Sequence, residues 1–521
     1  MPPRHRKPAD QPRQPGGSSP RELQNILWKA ADKLRGLIDA AEYKETVLGL
    51  IFLKYVSDVI EEHRLALEQR LLAAGIDDDL RRFFVDERAS YTNTHAVWVP
   101  TTARWAAITR NARPQGLGKQ IDDAMDAIMR ENASLIGALP KVFNRLGNDE
   151  QLADLVDLIG DARFGDAETN RAHDIPADVF EYFLHNFAVL EGRKGGEFYT
   201  PSSVTRLVVE LLEPYEGRVY DPVCGSGGML VQASRFVETY RGRDHRADIT
   251  VHGQEMNERT WRLAKMNLAI HNIDGDLGLC WEDTLAYDVH PDLKADFVLA
   301  QPPFNIKNWA RNESDPRWTY GVPPRNNANY AWLQHAISKL GERGTAGVLL
   351  ANGSLFSQSR GEVDIRRALI ESDQVACIVA LPPQLFRSTS IPACLWVLAR
   401  NKSSQGSAGL EERRGQILFI DARRLGVMAD RTSRVLDTAD TASIVDAYRA
   451  WRGTASARQS NLSYRDEPGF CLSVDLATVR EHGYVLTPGR YVSTGPDEDE
   501  DLETGPEKHT ALTKDLYGLF D

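Results

Sequence analysis

The chain has 521 residues, of which 42% are hydrophobic and 26% charged, which fits a globular protein of roughly two to four domains. Its formal net charge of −12 argues against a protein that wraps DNA unaided, because non-specific DNA affinity comes largely from Lys and Arg. The five cysteines are widely spaced and form no CxxC pair, so we predict neither disulfides nor a metal site, in a reducing cytoplasm.

The N-terminal part of the chain is predicted to be a short tail followed by a helical domain. Residues 1–20 are basic and Pro-rich without an apolar core segment, which is typical of a disordered tail rather than a signal peptide. Leu27–Gly75 has helical apolar spacing and no proline. We therefore predict an all-helical domain over residues 21–165.

The most apolar stretch of the chain is Val47–Ile60, which lies in this helical domain. It contains Lys54 and Asp58 and is shorter than the about 20 residues that cross a bilayer. We interpret it as a buried helix and predict no association with a membrane.

An α/β catalytic domain is predicted over residues 166–475. From about Ile175 onward, short β-branched runs alternate with helical stretches, which implies a parallel sheet with right-handed crossovers. The predicted strands contain RVYDP, ITVHGQE, DFVLAQPP, TAGVLLANG, VACIVALPP and ACLWVLAR.

The first of these strands ends in a glycine-rich turn, DPVCGSGG, at residues 221–228. Glycines beyond the carboxyl end of a strand let the backbone approach a ligand closely. The turn is also consistent with tight packing or with a phosphate at a helix N-terminus, although the Lys-Ser/Thr of a Walker motif is absent. Asp221 would suit an α-ammonium group.

Two further acids follow the next two predicted strands. Glu255 is placed to accept the hydroxyls of a ribose, but an acid there can also be a solvated strand end. Asp283, after the predicted end of the third strand, can accept from the exocyclic amine of a nucleoside cofactor or cap a following helix. Their order after successive strands favours the cofactor interpretation.

The fourth strand leads into Gln301-Pro302-Pro303-Phe304. An amine conjugated to a purine is a poor nucleophile, because its lone pair is delocalised into the ring. The Gln301 amide oxygen and the Pro302 carbonyl can accept both N–H bonds, which favours a pyramidal nitrogen that attacks a sulfonium methyl in line. The prolines make the turn rigid, and Phe304 offers a face on which an extruded base can stack.

The C-terminal tail is predicted to begin at residue 476 and to reach residue 521. It contains an acidic run, Asp497–Asp501, which we interpret as a solvated linker. A short apolar pattern at the end of the chain predicts a docking helix. That pattern consists of Leu512, Leu516, Leu519 and Phe520.

The ordered motifs resemble those of amino-methyltransferases whose cofactor motif precedes the catalytic motif, and specifically those of methylation subunits of type I restriction-modification systems. The resemblance covers about residues 21 to 495. Its motifs are GGEFYTP, DPVCGSGGM, GQEMN, WEDT and QPPFN. It also includes LWKAADKLRG and YKETVLGLIFLKYVSD near the N-terminus, ANGSLF and LPPQLFRSTSIPACLWVL in the later sheet, and HGYVLTPGRYV towards the C-terminus.

This resemblance implies methyl transfer from S-adenosylmethionine to the N6 amine of adenine in double-stranded DNA. It implies a seven-stranded methyltransferase sheet, optionally with an antiparallel last strand, between a helical N-terminal domain and a helical C-terminal tail. It also implies a complex of two methylation subunits with one specificity subunit that reads the DNA, to which a restriction subunit can be added. The acidic net charge agrees with that division of labour.

The resemblance further implies a role for each residue of the cofactor site. Thr200 should hold the methionine carboxylate, Asp221 with Gly225, Ser226 and Gly227 the homocysteine portion, Glu255 the ribose, Met256 a face of the adenine, and Asp283 its amine.

One residue departs from the family pattern, which opens the catalytic motif with Asn, or with Asp in related enzymes. Gln301 retains an amide but is one methylene longer, and a displacement of about an ångström can cost ~100-fold in rate. A weak or inactive scaffold that binds the cofactor is therefore the alternative. A solitary adenine methyltransferase would need its own target-reading domain, and a protein glutamine methyltransferase would leave the N- and C-terminal resemblances unexplained.

Overall fold

The structure is a computed structural model that describes residues 40–94, 96–110, 116–147, 149–160, 180–184, 200–386, 391–404 and 410–492. The chain divides into two compact units, Met1–Leu184 and His185–Asp521. The predicted domain boundary at residues 165 and 166 lies outside the described residues and stays a prediction. The predicted N-terminal tail, acidic linker and docking helix also lie outside them.

The first unit is helical, and its described residues contain no strand. The prediction of a buried helix at Val47–Ile60 is confirmed, because Leu48, Phe52 and Ile60 are completely buried in a long helix. None of the helices that the structure describes has both the length and the apolarity needed to cross a membrane. The helices are α1 (Ala40–Ala73), α2 (Asp78–Asp86), α3 (Trp105–Arg110), α4 (Leu117–Glu131) and α5 (Asp149–Gly160), and residues 180–184 are also helical.

The second unit contains eleven strands among its described residues. The strands are β1 (Gly217–Asp221), β2 (Ile249–Gly253), β3 (Gly275–Asp276), β4 (Ala295–Ala300), β5 (Leu340–Ala351), β6 (Val375–Ala380), β7 (Ala393–Ala399), β8 (Gln416–Asp421), β9 (Val427–Met428), β10 (Arg434–Val435) and β11 (Cys471–Asp475). Nine of them form a mixed sheet in the order β11-β8-β6-β7-β5-β4-β1-β2-β3, and β9 and β10 pair with each other outside it. The helices are α6 (Ser202–Leu212), α7 (Gly228–Arg241), α8 (Glu258–Ile270), α9 (Asn329–Lys339), α10 (Gly353–Phe356), α11 (Arg360–Glu371), α12 (Thr438–Arg452), α13 (Ala455–Gln459), α14 (Leu476–Glu481) and α15 (Gly489–Val492).

The prediction of seven strands was wrong, although strands occur at all six of the runs named from the sequence. Strand β7 lies antiparallel between β5 and β6, as the predicted option of an antiparallel last strand allowed. The sheet then continues, because β8 pairs parallel with β6 and β11 pairs antiparallel with β8. The apolar run QILFID of β8 covers an edge of β6 that would otherwise be open.

Apolar side chains on the two faces of this sheet are covered by different helices. On one face, Leu299 and Val397 pack in a cluster with residues of α6, α7 and α12. On the other face, Val298 and Trp396 pack with residues of α9 and α11. Residues after the predicted start of the C-terminal tail join this second layer, where the Tyr491 ring stacks on Phe419 with centroids 4.0 Å apart.

Parallel pairing brings the carboxyl ends of β1, β2 and β4 to one edge of the sheet. Asp221 pairs with Gly253, and Tyr220 pairs with Val298. The segments that follow these three strands therefore leave the sheet side by side. Strand β3 is much shorter than predicted, because it ends at Asp276 rather than near Cys280. The segment that carries Asp283 is therefore irregular backbone rather than the end of a strand.

Candidate active site

A pocket of about 440 Å³ opens at this edge of the sheet, in the size range of a small-molecule site. It contains most of the residues predicted for the cofactor and part of the predicted catalytic turn. The predicted residues that line it are Thr200, Asp221, Gly225, Ser226, Glu255, Met256, Asp283, Gln301 and Pro303. Gly227, Pro302 and Phe304 belong to the same two turns but are not among the lining residues.

The glycine-rich turn forms the floor of the pocket. Gly225 and Gly227 have φ angles of 55° and 82°, a left-handed region that glycine occupies without the steric cost of a Cβ atom. The Asn267 side chain fixes the turn by donating to the Ser226 carbonyl at 2.8 Å. Helix α7 begins immediately afterwards at Gly228, so its N-terminal end faces the ligand site.

Asp221 and Glu255 are buried acids within this pocket. Burial raises the pKa of Asp221 to about 8, partly offset by the hydrogen bond that the Val223 amide donates at 3.0 Å. Burial also raises the pKa of Glu255, whose carboxylate accepts from the Gly225 amide at 3.1 Å and the Asn257 amide at 2.8 Å. Two desolvated acids in one cavity suit a ligand that brings positive charge and hydroxyl donors.

Asp283 lies in a turn rather than at the start of a helix. Its Oδ1 accepts from the Leu285 amide at 2.9 Å. The side chain therefore shapes a turn, and it does not cap a helix. Arg317 holds the same turn from outside by donating to the carbonyls of Thr284 at 2.7 Å and Leu285 at 2.8 Å. Asp283 itself is among the residues that line the pocket.

Gln301 follows β4 and is half-buried. Its Oε1 accepts a hydrogen bond from the Thr200 hydroxyl at 2.9 Å, and its Nε2 donates to the Pro302 carbonyl at 3.4 Å. The Pro302 carbonyl thus lies beside the amide nitrogen of Gln301, while the amide oxygen faces Thr200. The contact with Thr200, 101 positions away in the chain, was not predicted.

Phe304 is half-buried and packs against another aromatic ring. Its ring meets Phe386 edge to face, with centroids 5.5 Å apart. The turn continues into Asn305, whose φ of 56° is supported by Asn329, which donates to its Oδ1 at 2.9 Å.

Several lining residues were missed by the sequence-based prediction. Trp309 and Trp332 line the pocket together with Leu285 and Ile306. Trp309 also packs against the ring of Trp318, in the same apolar cluster. The aromatic-rich stretch that follows the QPPFN motif was the available signal. It had no periodicity by which it could be assigned to a site.

These residues fit S-adenosylmethionine by size and by chemistry. The cavity is large enough for a nucleoside joined to an amino acid. Apolar side chains and the carboxylates of Asp221, Glu255 and Asp283 line it together. The two buried acids provide acceptors for ribose hydroxyls and for an α-ammonium group, and the glycines leave room for close approach.

The chain is similar to known proteins over most of its length. Residues 171–500 match the family described as N-6 DNA methylase, and residues 23–159 match the HsdM N-terminal domain. The HindI methylase subunit of Haemophilus influenzae, a type I restriction enzyme subunit, is 42% identical over 80% of this chain and 96% of its own length. The MjaIX methylase subunit of Methanocaldococcus jannaschii is 34% identical over 92% of this chain and 85% of its own.

A solved structure shows the same fold. The type I restriction-modification methyltransferase subunit from Streptococcus thermophilus has a TM-score of 0.72 and 23% identity, over 91% of this chain and 100% of that chain. The sheet, its pocket and these likenesses define an S-adenosylmethionine-dependent methyltransferase. The chain belongs to the N-6 DNA methylase family, as a type I restriction enzyme methylase subunit. It transfers a methyl group to the N6 amine of adenine in DNA.

Proposed function

We propose that the pocket at the carboxyl edge of the sheet holds S-adenosylmethionine and that Gln301 and the Pro302 carbonyl activate the target adenine. The observation that carries this proposal is the hydrogen bond from Thr200 to the Gln301 amide oxygen, inside the pocket that contains Asp221 and Glu255. It keeps the amide oxygen on the side of the cofactor site, although the Gln301 side chain is one methylene longer than the usual Asn.

Each residue that lines the pocket is proposed to hold one part of the cofactor. When bound, S-adenosylmethionine supplies an electrophilic methyl group on its sulfonium. Thr200 would hold the methionine carboxylate through its backbone N–H, because its one hydroxyl proton is donated to Gln301. The raised pKa of Asp221 makes it a strong partner for the α-ammonium group. Ser226, between the two predicted glycines of the turn, completes the homocysteine site. Glu255, Met256 and Asp283 would contact the ribose, a face of the adenine and its amine respectively.

Gln301 is proposed to act on the lone pair of the adenine amine. A carbonyl oxygen has two lone pairs, so Gln301 Oε1 can accept from Thr200 and from the amine at the same time. The Pro302 carbonyl would accept the second N–H, which leaves the nitrogen lone pair free for the methyl group. The positive charge that develops on the nitrogen is stabilised by these two oriented dipoles.

Phe304 is proposed as a stacking surface for the extruded adenine. It follows the rigid Pro302-Pro303 turn directly, and Pro303 itself lines the pocket. The edge-to-face contact with Phe386 restricts the ring without covering it completely, because Phe304 remains half-buried. Stacking on an aromatic ring stabilises a flipped base by about 1–3 kcal/mol.

The test is single-turnover methylation of unmodified DNA by the assembled complex, with a tritiated methyl donor. Gln301→Ala should lower the rate by about 100-fold or more while cofactor affinity changes little, because the lost interaction matters mainly as the amine attacks. Gln301→Asn should retain or raise the rate. The matched control is Gln358→Ala, an exposed glutamine outside the pocket, which should leave the rate unchanged.

Two results would contradict the proposal. Gln301→Ala at the wild-type rate would remove the amide from the mechanism. A wild-type complex that transfers no methyl group, together with an active Gln301→Asn, would make the natural protein a scaffold that only binds the cofactor.

We also propose that the chain works with a second copy of itself and one specificity subunit, with a restriction subunit as an optional addition. Its curated relatives carry the name of subunits, and the net charge of −12 leaves phosphate neutralisation to another component. The proposed docking element is the apolar pattern at the end of the chain, Leu512, Leu516, Leu519 and Phe520.

A further inference from the structure

A cluster of His252, Asp276 and His290 lies outside the cofactor pocket, on the β2–β3 side of the sheet. Each side chain offers one donor atom, and the three atoms lie within 4.8 Å of one another. His252 and Asp276 are direct neighbours in the β2–β3 register, while His290 comes from the segment before β4. The three residues therefore approach one point from three different segments.

Hydrogen bonds orient two of these side chains towards that point. His290 Nε2 donates to the Gly253 carbonyl at 2.9 Å, which leaves Nδ1 with a free lone pair directed at Asp276 Oδ2, 3.7 Å away. Asp276 Oδ1 accepts from the Gly278 amide at 3.0 Å, which turns Oδ2 towards the histidines. Metal-binding histidines and carboxylates are commonly fixed by such outer hydrogen bonds.

The third donor atom is an unsatisfied buried group. His252 Nδ1 is buried without a hydrogen-bond partner, 3.9 Å from Asp276 Oδ2. Separations of 3.7 and 3.9 Å are too long for hydrogen bonds, so a shared proton would not satisfy the lone pairs. A cation between them would satisfy all three.

We infer that His252, Asp276 and His290 form a binding site for one Zn²⁺ ion. Ligands at about 2.0–2.2 Å from a tetrahedral Zn²⁺ lie about 3.4 Å apart. The two His–Asp separations of 3.7 and 3.9 Å therefore need to shorten by about half an ångström or less, and the widest separation in the cluster, within 4.8 Å, by at most about 1.4 Å. Asp276 can move, because its side chain is 61% exposed. Two imidazoles and one carboxylate favour Zn²⁺ over Mg²⁺ or Ca²⁺, and the fourth position would be open to water.

The site would stabilise the contacts between β2 and the segment around Asp283, which lines the cofactor pocket. His290 is tied to Gly253, and the next residue, Gln254, donates its Nε2 to the carbonyls of Glu282 at 3.1 Å and Tyr287 at 2.7 Å. A bound ion would therefore link β2, β3 and the segment between Asp283 and β4. It uses none of the residues proposed to contact S-adenosylmethionine or adenine.

The experiment is a titration of the full-length chain, first stripped of metal with a chelator, with Zn²⁺ in a calorimeter. The wild type should bind one equivalent, and Asp276→Asn should bind at least about tenfold more weakly, since even outer partners of a ligand contribute that much. The control is Asp248→Asn, because the exposed pair of Asp248 with His245 (2.9 Å) resembles the site but lacks a second histidine. It should bind as the wild type does.

Two further measurements keep the result interpretable. Co²⁺ should give the visible absorption bands of a four- or five-coordinate ion in the wild type and lose them in Asp276→Asn. Zn²⁺ should raise the melting temperature of the wild type but not of that variant, whose melting temperature without metal reports whether it is folded. Absence of saturable binding, or binding that survives unchanged in a folded Asp276→Asn, would overturn the inference.

Discussion

Asp221 and Glu255 are the residues whose chemistry depends most on their burial. They are 2% and 5% exposed, and removal of water disfavours their charged forms. The charge of Glu255 further raises the pKa of Asp221, whose value of about 8 means that the carboxyl is largely protonated at neutral pH before a ligand binds. A cationic ligand favours the carboxylate form instead.

Cofactor binding should therefore release a proton from Asp221 near pH 7. The affinity for S-adenosylmethionine should rise between pH 6 and pH 8, by at most about tenfold per pH unit, because the group must lose one proton. The gain should stop near pH 8, where the α-amino group of the ligand also begins to titrate, at about 7.7–8.0.

Calorimetry in two buffers of different ionisation enthalpy measures both the affinity and the protons released. Asp221→Asn should remove the rise with pH, because the amide does not titrate in this range. An affinity that stays constant from pH 6 to pH 8 in the wild type would separate Asp221 from the charged part of the ligand.

Between the secondary-structure elements, two irregular segments contribute lining residues to the pocket, and the Arg317 side chain connects them. Arg317 belongs to the segment between β4 and α9 and donates to two carbonyls of the turn after Asp283. Its guanidinium also pairs with Asp315 at 2.6 Å. A planar fork of donors can satisfy two carbonyls and a carboxylate together, whereas a lysine offers a single ammonium group.

Arg317→Lys should weaken S-adenosylmethionine binding by about tenfold, because it loses at least one charge-assisted hydrogen bond worth about 1.5 kcal/mol. The same substitution at the exposed Arg325 is the control and should leave the affinity unchanged. Equilibrium binding, measured below the melting temperature of each variant, checks both. Wild-type affinity in Arg317→Lys would show that the turn holds its shape without this contact.

At the scale of the whole molecule, the distribution of work between subunits follows from charge. The chain carries 74 acidic and 62 basic residues, so its overall field repels the DNA backbone. A pocket that acts on one extruded base does not by itself read a sequence. We therefore expect recognition and most of the phosphate contacts to fall to a partner.

The isolated chain should accordingly bind S-adenosylmethionine but methylate DNA poorly. Adding a specificity subunit should restore sequence-specific transfer without changing cofactor affinity much, because the cofactor residues all belong to this chain. Filter binding of the tritiated cofactor and methylation assays, with and without the partner, measure the two quantities. Efficient sequence-specific methylation by the isolated chain would exclude this division.

The sequence by itself determined the features that depend on local pattern. Strands such as β4 and β6 are short apolar runs, and each motif begins where its strand ends, so the order of the motifs predicted one shared edge of a parallel sheet. Asp221, Glu255 and Gln301 could be selected in this way, because their positions relative to the strand ends are set within a few residues.

Only the tertiary structure decided which distant residues meet. Thr200 donates to Gln301, Phe304 packs on Phe386, and β11 extends the sheet beyond the predicted seven strands. Such contacts depend on pairing and packing between segments that are far apart in the chain, and no periodicity within either segment encodes its partner. Local sequence therefore indicated which residues gather at the pocket, whereas long-range packing set the orientation of their side chains.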